Sequence, residues 1–162
     1  MNNIDNKKGP FSIGVISDTH GLLRSGAIDA LQGVDLIIHA GDVGDPMIIT
    51  ELGFAAPVVA VRGNMDSGGW AYALNRTETV EKDGSLFYVL HDISRLDLDP
   101  AVSGIKAVIS GHTHEPSIGR HKGVLYLNPG SAGPRRSKLP PSVAVIKVEG
   151  RSLAARIIEI KE

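Results

Sequence analysis

The sequence predicts an α/β sandwich of mixed β-sheets with helices on the outside. Three observations carry this: short runs nearly continuous in Val, Ile and Leu, helical patterning in two gaps between the early runs, and tight-turn dipeptides between the late ones. Residues 1–10 are polar and read as a disordered leader, without the apolar stretch of a secretory signal. A strand follows at 11–17. In 24–32, Ala27, Ile28 and Leu31 share one helical face and Gly33 stands past its end as a stop. The next strand is 34–40. In 45–54, Asp45 is placed to cap a helix that Pro46 opens, with Ile48, Ile49 and Leu52 as its apolar stripe. The strand at 58–62 completes a strand–helix–strand–helix–strand order, which implies parallel pairing through right-handed crossovers.

The later half reads differently. Runs 77–82 and 85–90 flank Asp83-Gly84, and 143–148 and 153–160 flank Glu149-Gly150, as antiparallel hairpins do. Runs 106–110 and 124–127 lie between them. Alternating polarity in 77–82 and in the last two runs predicts strands with one wet face. The stretch 134–141 is proline-rich and basic and reads as a surface loop. No repeat or second unit is visible, so 11–162 is expected to form one domain.

Composition narrows the function classes. With no Cys among 162 residues, disulfides, thiolate catalysis and Cys-ligated metals are excluded. A net charge of −1 gives no basic face for a stable nucleic-acid complex, and no run approaches the ~20 apolar residues of a membrane span. A cytoplasmic domain acting on a small molecule is expected, with self-association left open.

The chemistry sits at strand ends. Run 11–17 leads into Asp18-Thr19-His20, 34–40 into Gly41-Asp42, 58–62 into Gly63-Asn64, 85–90 into His91, and 106–110 into Gly111-His112-Thr113-His114. The crevice beyond the carboxyl ends of parallel strands is where α/β sites are built. Two Asp, one Asn and four His are too many donors for one ion and suit two that share a carboxylate. Nitrogen and oxygen ligands without thiolate favour manganese, iron, zinc, cobalt or nickel. Two such cations acidify a bridging water and brace an in-line displacement at phosphorus, which makes phosphoester hydrolysis the expected reaction.

Taken in order, Asp18-x-His20, Gly41-Asp42, Gly63-Asn64-x-Asp66, His91 and Gly111-His112-Thr113-His114 resemble the successive blocks of the calcineurin-like metallophosphoesterases. The short length and Asn128-Pro129-Gly130-Ser131 resemble its small bacterial and archaeal phosphodiesterase branch, to which the retromer scaffold subunit is related. The resemblance implies a four-layer αββα sandwich of two mixed β-sheets flanked by helices. It implies that Asp18, His20 and His114 hold one metal, that Asn64, His91 and His112 hold the other, and that Asp42 bridges them. Manganese is the expected ion, and a metal-bridging hydroxide the expected nucleophile toward a phosphodiester. His20, Asn64 and Asp66 are the expected catalytic residues. A phosphomonoesterase, a nucleotide pyrophosphohydrolase and a non-catalytic protein-binding scaffold are the alternatives.

Two positions depart from the family pattern. Many relatives place a His after Gly-Asn as a proton donor or phosphate contact, where this chain has Met65, which favours diesters over monoesters with poor leaving groups. Asp92 follows His91 where Gly is common, either orienting a ligand imidazole or capping the next turn. Asp66 is read as orienting a ligand or water, or as stabilising its turn. The remaining candidates have quieter readings: His39 as a hydrogen-bonded residue of the core or one supporting a metal ligand, His121 as a solvated turn residue, Asn128 to Ser131 as a tight turn near the site and mainly structural, and Arg135 and Arg136 as a solvated basic loop with a phosphate contact as the alternative.

Overall fold

The computed structural model describes residues 2–3, 9–135 and 138–161. One sheet contains β2 (Phe11–Ile16), β3 (Leu36–His39), β4 (Val58–Ala60), β10 (Ser142–Glu149) and β11 (Ser152–Glu159), in the order β11-β10-β2-β3-β4. Its β2, β3 and β4 run parallel, and β10 is antiparallel to both β2 and β11. The two crossovers carry α1 (Ser25–Ala30) and α2 (Pro46–Leu52), as the early periodicity predicts. Asp45 caps α2 by accepting from the Met47 N–H at 2.9 Å, and Pro46 opens the helix. The helix predicted over 24–32 is a turn shorter: Arg24 makes no side-chain cap, and Leu31 already leaves helical geometry.

The second sheet has the order β1-β5-β6-β7-β9-β8, made of β1 (Asn2–Asn3), β5 (Thr77–Lys82), β6 (Ser85–Leu90), β7 (Ile105–Ile109), β8 (Ser117–His121) and β9 (Val124–Asn128). The β5–β6 hairpin is antiparallel, whereas β6–β7 and β7–β9 are parallel. Both sheets are therefore mixed. Of the leader expected over 1–10, Asn2–Asn3 pairs parallel to Val80 and Glu81; Met1 and residues 4–8 lie outside the described residues.

The sandwich follows from which side chains are apolar. Ile13, Val15, Leu36 and Ile38 from the first sheet pack against Phe87, Val89, Ala107 and Leu127 from the second, forming the core between them. On the outer face of the first sheet, Ile37, Val143 and Val145 meet Ala27, Leu31, Ile48 and Leu52 of the helices, with Trp70 from the short α3 (Gly69–Tyr72). The outer layer on the second sheet is thinner. A 3₁₀ turn (Ile93–Arg95) and the following Leu96 and Leu98 cover Tyr88, Leu90, Val108 and Tyr126. No helix among the described residues is long and apolar enough to cross a membrane.

Three features were not expected. The α3 turn and strand β8 lie in stretches where the sequence predicts no element, and β8 is exposed along its whole length. His121 closes β8 opposite Val124 instead of sitting within a turn, and it is exposed as predicted for a solvated residue.

Candidate metal centre

The carboxyl ends of β2, β3, β4, β6 and β7 all open toward one end of the sandwich, and each delivers at least one predicted ligand. Asp18 is fully buried, Asp42 is 2 % exposed and His91 5 %. Oδ1 of Asp18 lies 3.3 Å from His114 Nε2, 3.7 Å from His20 Nε2 and 3.8 Å from His91 Nε2. Oδ2 of Asp42 lies 3.2 Å from His91 Nε2 and 3.8 Å from His20 Nε2. Two three-residue groups could each hold an ion, Asp18 with His20 and His114, and Asp18 with Asp42 and His91. Asp18 is thus common to both, whereas Asp42, the expected bridge, belongs to one of them.

Asn64 and His112 stand at the rim of this cluster. Both are exposed, and the Asn64 Oδ1 is 3.2 Å from His112 Nδ1. The His112 ring stands edge-on to His91 with centroids 5.1 Å apart. The structure therefore brings five of the seven predicted ligands into one cluster, three of them buried and His20 and His114 half-buried, and sets the other two at its mouth.

The backbone is bent to achieve this. Asp18, His20, Asp42, His112 and His114 all have positive φ, between 46° and 71°. Among the described residues the other non-glycine cases are the hairpin-turn residues Asp83 and Lys122. Side chains held in the left-handed region carry a strain of order 1–3 kcal/mol each and persist where the surroundings over-determine them. Packing leaves no slack at the glycines between them. A Cβ on Gly63 would overlap the Asp42 carboxylate, and one on Gly111 would overlap the Ser17 hydroxyl and the Asp18 carboxylate.

Hydrogen bonds fix which atoms face the cluster. Ser17 Oγ and the His112 N–H donate to Asp18 Oδ2 at 2.6 and 3.0 Å, leaving Oδ1 inward. The Met65 N–H donates to Asp42 Oδ1 at 2.8 Å, leaving Oδ2 inward. His91 gives its Nδ1–H to the Ala40 carbonyl at 2.7 Å, so its Nε2 faces the carboxylates. Asp18 Oδ1 and His91 Nε2 are both buried without a hydrogen-bond partner. A buried carboxylate oxygen and an imidazole nitrogen left bare beside each other fit a divalent cation, which would take both lone pairs at once.

Charge follows the same arrangement. Burial works to raise the Asp42 carboxyl, yet His91, the Met65 N–H and the charge of His20 outweigh it and hold it below the usual carboxylate range. Burial likewise works to lower the His91 imidazole, and the Asp42 and Asp18 carboxylates with the Ala40 carbonyl raise it above its ordinary value. Both shifts describe a nest built for positive charge.

Several residues outside the predicted set hold the centre together. His39 is fully buried, and burial drives its pKa down to about 3. Its Nδ1 accepts from the Gly41 N–H at 3.1 Å, and its Nε2 meets Thr19 Oγ1 at 3.0 Å. Thr19 spends its own proton on the Val43 carbonyl, so the imidazole donates from Nε2. This relay clips the loop of Asp18 and His20 to the loop of Asp42. Asn128 donates to the Gly111 carbonyl at 2.9 Å and to Thr113 Oγ1 at 3.0 Å, which fixes the turn bearing His112 and His114. Ser17 and Thr19 adjoin a predicted ligand, so their neighbourhood was the available signal; Asn128 reaches across from another strand, and its mark in the sequence was the Asn128-Pro129-Gly130-Ser131 turn.

Asp66, expected among the catalytic residues, has its oxygens engaged by the N–H groups of Gly44 and Gly63, both at 2.9 Å, and so ties two ligand loops together. Asp92 does cap the following turn, through Ser94 N and Oγ at 3.0 and 2.8 Å, while its Oδ2 lies 3.7 Å from His112 Nε2. Burial opposes, and the Ser94 hydrogen bonds with the nearby His112 and Arg95 overcome it, keeping the Asp92 carboxyl below its usual range. Met65 is 62 % exposed, and only its backbone serves the centre. Arg135 lies beside His114 along the wall of a small hollow with Ser131 and Pro134; Arg136 lies outside the described residues.

The domain model of the calcineurin-like phosphoesterase superfamily matches residues 11–151. The chain belongs to that superfamily. A "probable metallophosphoesterase" of Methanothermobacter thermautotrophicus is 39 % identical over 159 residues, spanning 90 % of this chain and 91 % of its own. A structure described as a novel archaeal phosphodiesterase superposes with a TM-score of 0.76 at 26 % identity, covering 91 % of this chain and all of that one. Vacuolar protein sorting 29 from Cryptosporidium parvum shares the fold, with a TM-score of 0.80 at 19 % identity over 96 % of this chain and 94 % of its own. As a calcineurin-like phosphoesterase, the chain comes from a superfamily of hydrolases that use divalent metals on phosphoester bonds, and its buried Asp–His cluster supplies candidate ligands.

Proposed function

We propose that the protein is a dinuclear metal-dependent phosphoesterase that prefers phosphodiesters, with manganese as its working ion. One observation carries the reading: two ligand groups share Asp18, and the bare atoms Asp18 Oδ1 and His91 Nε2 both face the space they enclose. When bound, a pair of divalent cations supplies an acidified water as nucleophile and offsets the negative charge that develops on the phosphoryl oxygens.

The chain's own residues do the rest. Asp42 stays ionised and His91 presents Nε2 because Met65 N–H and Ala40 O occupy their other polar atoms. Asn64, exposed at the rim, and the His20 ring nitrogen not engaged by metal would donate to non-bridging phosphoryl oxygens as the new P–O bond forms and the ester P–O bond breaks. The departing alcohol takes its proton from water or from His112, since Met65 offers none. Asp66 acts as a positioning residue through the Gly44 and Gly63 N–H groups. Met65 at the place of a donor supports the preference for diesters, as does the 26 % identical archaeal phosphodiesterase.

The test pairs composition with turnover. Protein purified without chelator should contain about two transition-metal equivalents per chain and hydrolyse bis-p-nitrophenyl phosphate with added Mn²⁺, faster than p-nitrophenyl phosphate. Loss of turnover with EDTA and its return with Mn²⁺ are expected. No metal and no turnover with any divalent ion would leave a protein-binding scaffold instead.

A further inference from the structure

Beside Asn64, His91 and His112 a cleft of about 520 Å³ runs over the outer face of the six-stranded sheet. That volume lies within the range of small-molecule sites. Tyr88 and Leu90 of β6 form its floor, since their neighbours Phe87 and Val89 point the other way into the central core. Its walls carry Arg62 and Arg76, from the two ends of the segment joining β4 to β5, and Arg95 from the 3₁₀ turn. Three arginines, two from the ends of the β4–β5 segment and one from the 3₁₀ turn, thus line the cleft on one side of the metal centre.

Their charge is answered only in part within the protein, through the nearness of Arg95 to Asp92. Among the described residues no ion pair holds Arg62, Arg76 or Arg95. Nε of Arg62 is buried without a hydrogen-bond partner, while its guanidinium carbon lies 5.1 Å above the Tyr72 ring. Asp92 and Asp97 also line the cleft, but Asp92 has one oxygen committed to Ser94 and the other facing His112. A guanidinium fork pairs with phosphate through parallel hydrogen bonds, and a half-buried one gains more from that pairing than an exposed one.

We propose that this cleft receives an ester arm bearing a second phosphate, so that the substrate is a phosphodiester with a further phosphate monoester on an arm whose ring lies against Tyr88 and Leu90. The diester chemistry rests on the function proposed above; the second phosphate rests on the three arginines alone. Arg62 anchors it from within, and Arg76 and Arg95 close on it from the two exposed walls.

Two synthetic esters isolate the claim: thymidine 5′-(p-nitrophenyl phosphate) and the same compound carrying a 3′-phosphate. With Mn²⁺, kcat/KM should be at least about tenfold higher for the doubly phosphorylated ester, and Arg76→Ala and Arg95→Ala should bring the ratio toward one. Using the ratio cancels any general loss in the variants. A second measurement needs no turnover: calorimetry of EDTA-treated protein with thymidine 3′,5′-bisphosphate, which should bind at least about tenfold more tightly than thymidine and lose that margin in either variant. Equal kcat/KM for the two esters, or equal affinity for bisphosphate and nucleoside, overturns the proposal. Bisphosphate binding through Arg76 and Arg95 with neither ester hydrolysed would keep the cleft assignment and remove the phosphodiesterase; hydrolysis of both esters at one rate would do the reverse.

Discussion

Nδ1 of His91 lies 2.7 Å from the carbonyl oxygen of Ala40, a residue 51 positions earlier in the chain, just past β3 of the other sheet. This single bond decides the chemistry of the imidazole. It places the ring proton on Nδ1 and turns Nε2 toward Asp42 and Asp18. Burial lowers the pKa of His91, but the two carboxylates and the carbonyl more than reverse that, so the metal-free ring titrates above the ordinary 6.5. Below that raised pKa a cation must displace a proton from Nε2. Affinity for Mn²⁺ should therefore fall by about tenfold per pH unit on the acid side and level off on the alkaline side. The same shift stabilises the metal-free fold, fully below pH 6.5 and progressively less as pH rises through the folded value. Calorimetric titration of EDTA-treated protein between about pH 5.5 and 8.5 reads the first effect; an affinity flat across that range would contradict Nε2 as a ligand.

Asp18 belongs to both ligand groups, whereas His114 belongs to one. Asp18→Asn should empty both sites and His114→Ala only one, leaving about one equivalent by elemental analysis. The metal-free proteins should behave in the opposite sense. An amide nitrogen in place of Oδ1 would donate to the imidazoles around it and remove a buried charge whose inward oxygen has no donor. Metal-free Asp18→Asn should then unfold at a higher temperature than metal-free wild type, by about 1 kcal/mol or more of stability. Equal metal content in wild type and the Asp18 variant would remove Asp18 from the centre.

Much of this arrangement was legible in the sequence because it is written locally. Buried parallel strands must be nearly continuous in Val, Ile and Leu, so 11–17 and 34–40 announce themselves, and each ligand directly follows such a run. Asp45-Pro46 marks the start of α2 for the same reason: a cap and its helix are adjacent. Strand β8 was hidden because it is an exposed edge whose only mandate is the backbone of β9; it has no apolar alternation to read. The four-residue α3 turn is too short to show a period. Asp66 carries no mark in the sequence that tells a carboxylate bonded to two backbone N–H groups from one aimed at water. The three arginines of the cleft lie at 62, 76 and 95, in segments that only the folded sheet brings together.

His39 gives the clearest pH signature of the fold. Its buried ring stays neutral until about pH 3, whereas the unfolded chain takes up that proton near 6.5. Its contribution to stability is therefore whole above pH 6.5 and is lost steadily as pH falls toward 3. His39→Leu keeps apolar bulk but strips the Gly41 N–H of its acceptor, which should cost about 1–3 kcal/mol near neutrality. The variant should then lose less stability than wild type on acidification, because it buries no titrating ring. Urea midpoints of both metal-free proteins at about pH 7.5 and 5 give the comparison. Parallel losses in the two proteins would place the acid sensitivity elsewhere.

Gly111 is the position where packing and chemistry are least separable. Its N–H bonds the His91 carbonyl at 2.9 Å, and its own carbonyl accepts from Asn128 at 2.9 Å, so the backbone is pinned on both sides. A methyl group there would drive into the Ser17 hydroxyl and the Asp18 carboxylate, the two groups whose contact leaves Asp18 Oδ1 facing the cluster. Because the loop has nowhere to retreat, Gly111→Ala should move Asp18 relative to His114 and His91 instead. Ligand geometry tolerates such displacement poorly, and a shift of about 1 Å is enough to lower turnover by about a hundredfold. Metal content should fall with it, while the strands, whose core lies between the sheets, stay folded by circular dichroism. Gly119→Ala is the matched control: Gly119 lies on exposed β8, where an added Cβ would meet nothing within 4 Å, and its turnover should equal that of wild type. Wild-type activity in Gly111→Ala would mean that Asp18 is not held in register by this contact.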